Sequence, residues 1–283
     1  MRCRRGWLWV LVIVLGCGGP AKTGVDLKQE AMSLNEAGYR YYRQSRWNLA
    51  QEKFEQALTY NRLIDRRAGI AANLNNLGAI AQAQGNLDRA AGYFQEALAV
   101  NRELHDPAAL CETLNNLGLV YQSQGHLQEA RATYLEALEN ARLLPPGPLL
   151  ALTLTHLGDV ARARKEYPTA LNYYHQALEA DAGAKDRRGR ALRLERLGRT
   201  FLDLKDYDRA DMYLREALRE FRGLQDTDGI AAALKGLTLL ALARGDQKEA
   251  RLNGNLLLGI YRARGQDKEA RELEARLPRG RGN

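Results

Sequence analysis

Cysteine is scarce in this chain of 283 residues, which contains only Cys3, Cys17 and Cys111. The first two lie in an N-terminal stretch that we expect to be cleaved and modified, for reasons given below. The one remaining thiol cannot form an intramolecular disulfide, so disulfide bonds are excluded as a source of stability. Cys111 lies among apolar positions of a predicted helix, and we expect it to be a small buried hydrophobic residue.

Motifs of catalytic and metal sites are also absent from the sequence. It contains no His-Glu-x-x-His, no paired Cys-x-x-Cys, no Gly-x-Ser-x-Gly and no glycine-rich loop that joins a strand to a helix. The four histidines lie without the spacing of metal ligands, at His105, His126, His156 and His175. We therefore expect no enzymatic activity, no cofactor and no metal site.

Small residues recur every forty residues along most of the chain. The recurring positions are Ala50, Ala90, Ala130, Ala170, Ala210 and Ala250, with Gly38, Gly78, Gly118, Gly158 and Gly198 in the same phase. Such a period is typical of stacked supersecondary units that bury one continuous core. In the second copy, apolar residues at helical spacing run from Leu74 to Ala81 and from Leu87 to Leu98, and Gly85 separates the two runs. Each unit is therefore predicted to be a pair of antiparallel helices. We expect Phe94 to supply bulk for the interface with the next unit.

The order of residues within a unit resembles the tetratricopeptide repeat family, as Leu117-Gly118, Tyr121, Ala130, Tyr134 and Ala137 illustrate. Each unit here is about six residues longer than the family's usual unit. The resemblance implies an all-α fold, namely a right-handed superhelical solenoid of six helix-turn-helix units over residues 31–278.

A half unit follows the sixth copy. The segment Ala243–Arg251 recurs as Ala263–Arg271, twenty residues later instead of forty. We therefore expect a thirteenth, capping helix from about Asp267 to Leu277, with Leu273 and Leu277 directed inward. Residues 279–283 are predicted to be a frayed basic tail.

The first seventeen residues have a separate pattern. Basic residues precede an apolar run from Trp7 to Leu15, which is too short to cross a bilayer and ends at Gly16-Cys17. This arrangement resembles a bacterial lipoprotein signal peptide, which implies cleavage after residue 16 and acylation, for example by palmitate, of Cys17. Residues 17–30 would then be the lipidated cysteine and a flexible tether. An ordinary secretory signal and an uncleaved anchor remain alternatives.

Removal of residues 1–16 leaves 39 basic residues against 34 acidic ones, a net charge of about +5. Gly18 after the cysteine resembles the sorting signal for the outer membrane in some bacteria. We therefore expect a lipid-anchored location in the bacterial cell envelope, at the outer membrane and facing the periplasm.

The family resemblance implies that the first helix of each unit lines a concave groove, with the residues around the Leu-Gly step directed into it. By register, the predicted groove residues are Tyr39, Tyr42, Asn75, Asn76, Gln82, Asn115, Asn116, Gln122, His156, Arg162, Arg196 and Arg199. Their amides can hydrogen-bond the backbone of an extended peptide, or they are solvated polar residues. The arginines suit an acidic ligand, or they form salt bridges with Asp159 and Glu195.

Six arginines between Lys185 and Arg199 also raise the question of nucleic acid. No aromatic residue is interleaved with them for base stacking, and an exported protein does not meet nucleic acid. We therefore expect a protein or peptide partner and not nucleic acid.

These observations predict a non-enzymatic, lipid-anchored scaffold that acts as an assembly factor or adaptor, of unknown oligomeric state. The alternative is a cytoplasmic or inner-membrane regulatory array with an uncleaved N-terminus.

Overall fold

The structure, a computed structural model, describes residues 23–180 and 186–278. These residues form thirteen α-helices and no strand: α1 Gly24–Arg43, α2 Trp47–Leu63, α3 Arg67–Ala83, α4 Leu87–Leu104, α5 Pro107–Ser123, α6 Leu127–Ala141, α7 Pro148–Ala163, α8 Tyr167–Ala180, α9 Arg187–Asp203, α10 Tyr207–Gly223, α11 Thr227–Arg244, α12 Gln247–Ala263 and α13 Asp267–Arg276. The predicted signal peptide, the acylated Cys17 and the basic tail lie outside the described residues.

The chain divides into two compact units, residues 1–66 and 67–283. In the first, α1 packs against α2. In the second, each helix from α3 to α13 packs against the next one, and the first helices of neighbouring repeats also meet, as α5 does with α7 and α7 with α9. In this second unit the helix pairs follow the forty-residue period, which confirms the expected all-α solenoid of stacked helix pairs there.

Helix α1 begins earlier than the predicted end of the flexible tether. It starts at Gly24, so residues 24–30 are helical, and that part of the tether prediction is wrong. Thr23 accepts a hydrogen bond from the backbone N–H of Asp26, whose carboxylate accepts one from the backbone N–H of Thr23 in return. This capping box satisfies two backbone donors and starts the helix there.

The repeated glycine makes room for an aromatic ring of its own unit. A Cβ atom added to Gly78 would lie 2.6 Å from Cε1 of Phe94, and one added to Gly118 would lie 2.4 Å from Cε1 of Tyr134. Both rings are fully buried. The ring of Phe94 therefore fits against the glycine of its own unit, because only a residue without a side chain leaves that space. It also belongs to one core cluster with Leu114 of the next unit, as predicted.

The repeated alanine is the complementary small position. Ala130 has no exposed surface, so Ala130→Leu is expected to overpack the α5/α6 pair and lower the free energy of unfolding by about 1–3 kcal/mol. Ala132→Leu is the control, because Ala132 is exposed on the same helix, and its effect should stay within about 0.5 kcal/mol. Denaturant unfolding measures both values. Equal effects of the two substitutions would contradict the assigned register.

The capping helix is present where it was predicted. Leu273 packs partly buried against the core, and Leu277 lies against Gly254, where an added Cβ would be 2.5 Å from Cδ2 of the leucine. Leu277 is extended, with φ −74° and ψ 141°, as expected for a residue before a proline, and Pro278 thereby ends the helix. Among the described helices, none has the length and apolar character needed to span a bilayer.

Candidate functional site

Four of the predicted groove residues line one cleft in the second compact unit. The cleft has a volume of about 360 Å3, and its walls come from α5, α7 and α9. It is lined by Gln122, Asp159, Arg162, Ala163, Arg196, Arg199 and Asp203. Equivalent positions of neighbouring repeats meet here, since Gln122 and Arg162, like Asp159 and Arg199, are forty residues apart.

Carboxylates pair with all three arginines of the cleft. Nε of Arg162 lies 2.7 Å from Oδ2 of Asp203, and Nε of Arg196 lies 2.9 Å from Oδ1 of Asp159. The third carboxylate is that of Glu195. The three arginines therefore meet three carboxylates, and the formal charges balance. The sequence left two interpretations of these arginines, an acidic ligand or salt bridges within the fold. The structure contains the salt bridges.

Glu195 lies beneath the cleft and binds two of its arginines. Its side chain is fully buried, it contacts Arg196, and its Oε1 lies 3.5 Å from Nη1 of Arg199. Burial alone would lower the pKa of Arg196, but the carboxylates of Asp159 and Glu195 outweigh it and raise the pKa above its ordinary value. Arg196 therefore keeps its charge inside the fold.

Two tyrosine hydroxyls reach the cleft wall from the second helices of the repeats. Tyr174 donates a hydrogen bond to Oδ1 of Asp159 at 2.8 Å, and Tyr134 donates one to Oε1 of Gln122 at 3.2 Å. Burial, followed by the nearby charge of Asp159, raises the pKa of both tyrosines, so both hydroxyls keep their protons. From the sequence, these tyrosines were recognised only as positions of the repeat and not as parts of the site. The change from Phe94 to Tyr134 and Tyr174 at the same repeat position could have indicated a role for the hydroxyl groups.

His156 lies beside the cleft with its ring stacked on Tyr134. The ring centroids are 5.0 Å apart and the ring planes differ by 15°. Burial lowers the pKa of His156 from 6.5 to about 4; Arg196 and Arg193 add to this effect and Asp159 opposes it. The folded protein therefore holds a neutral imidazole at neutral pH.

This lowered pKa predicts an acid-sensitive contribution to stability. Above pH 6.5 the imidazole is neutral in both states, so the contribution is fully present; between pH 6.5 and about 4 only the unfolded state takes up the proton, and stability falls. His156→Phe keeps a ring against Tyr134 but cannot titrate. Denaturant unfolding over this pH range should show a smaller loss of stability for the variant than for the wild type. Parallel pH profiles would contradict this assignment.

Two predicted groove asparagines instead join neighbouring repeats. Nδ2 of Asn115 donates to Oγ1 of Thr153 at 2.8 Å, and Nδ2 of Asn75 donates to Oγ1 of Thr113 at the same distance. Asn115 is only 2% exposed, so its prediction as a groove contact is wrong. The physical reason is that its face of α5 packs against α7. Asn75 is partly buried with its amide group engaged in the same way.

The other predicted residues keep their register without lining the cleft. Asn76, Gln82 and Asn116 are partly buried on the first helices of their repeats. In the first compact unit, Tyr39 is 47% exposed and Tyr42 packs edge-on against Trp47, with ring centroids 5.1 Å apart. Ligand contact by these five residues stays a prediction.

The arginine stripe at the start of α9 is engaged within the fold. Arg187 pairs with Glu220 at 3.1 Å and Arg188 with Asp226 at 2.6 Å. Arg193 is 3% exposed and donates to Thr155 at 3.1 Å. The stripe is thus distributed around the helix and bound to neighbouring helices, which is unlike a continuous phosphate-binding surface.

Another pocket, of about 390 Å3, lies at the C-terminal end between α11, α12 and α13. Its lining is mainly apolar and includes Leu239, Leu242 and Leu273. This pocket was not predicted from the sequence.

Comparison with known proteins identifies the repeat. A family model described as "Tetratricopeptide repeat" matches residues 69–143, 109–183 and 149–223, together more than half of the chain. No curated protein matches the sequence.

Solved structures share the fold at low sequence identity. BtubC from P. vanneervenii is 21% identical with a TM-score of 0.63, over 84% of this chain and 92% of that one. Pseudomonas aeruginosa pilF is 20% identical with a TM-score of 0.62, over 88% and 98%. A Rap protein complexed with Competence and Sporulation Factor is 15% identical with a TM-score of 0.67, over 90% and 75%.

Proposed function

Because this chain belongs to the tetratricopeptide repeat family, we propose that it is a non-enzymatic scaffold that binds an extended segment of a partner protein. The carrying observation is the cleft in which three successive repeats meet through α5, α7 and α9, with Gln122 and Arg162 at one equivalent position and Asp159 and Arg199 at another. A surface with a repeated arrangement of side chains suits a ligand with a repeated backbone.

The chemistry of the cleft supports recognition of the main chain. Gln122 offers an amide, Asp159 and Asp203 offer acceptors, and the arginines offer donors in the same space. Because the formal charges of the cleft balance, a strongly acidic segment gains less electrostatic binding energy here than three unpaired arginines would provide. The Rap structure named above is that of a complex, which supports ligand binding by an array of this fold.

The proposal includes a lipid anchor at Cys17, on the periplasmic side of a bacterial membrane. It is supported by the basic, apolar and Gly16-Cys17 pattern of the sequence. Six residues, 18–23, separate Cys17 from the start of α1, and a chain of that length can reach at most about 20 Å. The anchor would therefore keep the first repeat close to the membrane surface.

Site-specific photocrosslinking in a bacterium that expresses the full chain tests the binding surface. Benzoylphenylalanine replaces Ala163, an exposed residue of the cleft, or Ala99, an exposed residue on the second helix of a repeat. We expect one defined protein adduct from position 163 and a much weaker one from position 99. Adducts only from position 99, or equal adducts from both positions, would refute binding in the cleft.

Intact mass and membrane fractionation test the anchor, with Cys17→Ser as the comparison. We expect a triacylated chain that begins at Cys17 in the membrane fraction, and loss of both features in the variant. A chain that retains Met1 would instead support the alternative of a regulatory array with an uncleaved N-terminus.

A further inference from the structure

One position of the second helices changes chemistry along the array. In the first five repeats it faces the repeated glycine, and its occupants there are Phe54, Phe94, Tyr134, Tyr174 and Leu214. The four rings are equally buried, at 0–1% exposure, and each lies against its glycine in the same way. The ring alone is therefore sufficient for packing, and the two hydroxyl groups require another explanation.

Both hydroxyls bond to residues that line the cleft. Tyr134 donates to Gln122 at 3.2 Å and Tyr174 to Asp159 at 2.8 Å. The same Oδ1 atom of Asp159 accepts from Nε of Arg196 at 2.9 Å. A continuous path of hydrogen bonds therefore leads from a buried ring to a guanidinium in the cleft wall.

This path restricts the orientation of the cleft groups. Two donors on one oxygen hold the carboxylate of Asp159, and Asp159 together with the buried Glu195 holds Arg196 from two sides. Hydrogen bonds with a charged partner are the stronger class, and groups already oriented lose less conformational entropy when a ligand binds.

We infer that the hydroxyls of Tyr134 and Tyr174 are positioning groups, which fix Gln122, Asp159 and, through Asp159, Arg196 for ligand binding. The third and fourth repeats are then the centre of recognition, and the ligand is a polypeptide segment recognised through its main-chain N–H and C=O groups. This inference rests on the proposed function of the cleft.

The test uses Tyr174→Phe and Tyr134→Phe, which delete one hydroxyl and leave a ring that the fold already accepts at Phe94. Tyr60→Phe is the matched control, because Tyr60 donates to the carboxylate of Glu30 at 3.3 Å within the first compact unit. Two quantities are measured in the full chain: the Nε–Hε resonance of Arg196 by NMR, and the adduct yield from benzoylphenylalanine at position 163.

In Tyr174→Phe we expect the Arg196 resonance to shift, its exchange with water to accelerate, and the adduct yield to fall about tenfold, as for loss of a hydrogen bond with a charged group. Tyr134→Phe should lower the yield less, because its acceptor Gln122 is neutral. Tyr60→Phe should change neither quantity.

The outcomes separate the two proposals. No adduct from position 163 in the wild type would refute the proposed function itself. A wild-type adduct whose yield is unchanged in both Tyr→Phe variants would overturn the positioning role and leave the proposed function standing. A lower yield in Tyr174→Phe with an unchanged Arg196 resonance would also overturn it, because the effect would then not pass through Arg196.

Discussion

Replacement of Gly158 by alanine is expected to lower the free energy of unfolding by about 3 kcal/mol, the upper end of the usual range for overpacking. The added Cβ would lie 2.4 Å from Cε1 of Tyr174, well inside van der Waals contact. Tyr174 has no exposed surface, so its ring has no free space into which to move. The displaced ring would also withdraw its hydroxyl from Asp159, and we therefore expect a lower adduct yield from position 163.

Gly92→Ala is the matched control for this prediction. Gly92 lies inside α4, and an added Cβ would meet no atom within 4 Å. Alanine in a helix interior is more favourable than glycine by roughly 0.5–1 kcal/mol, so this substitution should stabilise the fold. Denaturant unfolding of both variants should give opposite signs. Destabilisation of similar size by both substitutions would show that an effect common to both helices, and not the aromatic ring that faces Gly158, decides the outcome.

Glu195→Gln is expected to destabilise the fold by about 2–3 kcal/mol. Glu195 is fully buried, and its carboxylate contacts the guanidinium groups of Arg196 and Arg199. The neutral amide would remove this charge from Arg199 and leave Arg196 with the carboxylate of Asp159. Removal of one partner from a fully buried pair costs roughly 3–5 kcal/mol, and we expect less because both arginines retain some access to water.

The same substitution at an exposed ion pair provides the control. Glu216 lies 2.9 Å from Arg190, both side chains have access to water, and Glu216→Gln should cost less than about 1 kcal/mol. The unfolding free energies of both variants are compared at neutral pH, in low and in high salt, since salt screens the exposed pair more strongly. A cost at Glu195 no larger than that at Glu216 would mean that the buried carboxylate does not hold the cleft arginines.

The sequence predicted some features of the cleft and missed others for one geometric reason. Gln122, Arg162, Arg196 and Arg199 were identified by adding the repeat length to a family position, and they do line one cleft. Asp203 was missed because it lies one residue out of register with Arg162. The repeat determines where equivalent residues recur along the chain. The salt-bridge partner of a long side chain depends on its rotamer, which the repeat period does not specify.

At the start of α1, the composition of the sequence predicted the wrong structure although a local motif predicted the right one. The glycine, proline and lysine before α1 indicate a flexible segment by composition, yet Thr23 and Asp26 form a capping box within that segment. A short motif of hydrogen-bonding residues outweighs the average composition around it, because the cap satisfies backbone donors that otherwise stay unpaired.

The sequence by itself determined the all-α class, the forty-residue period, the paired helices and the capping helix, because helix formation and the pairing of small with large residues depend on neighbours within one repeat. Only the tertiary structure decided which of the polar candidates line the cleft and which pack between repeats. Adjacent helix residues differ by about 100° around the axis. Asn115 therefore turns into the junction with α7. Asp159 and Asp203, which pair with Arg196 and Arg162, each come from the first helix of the neighbouring repeat, whose approach no single repeat specifies.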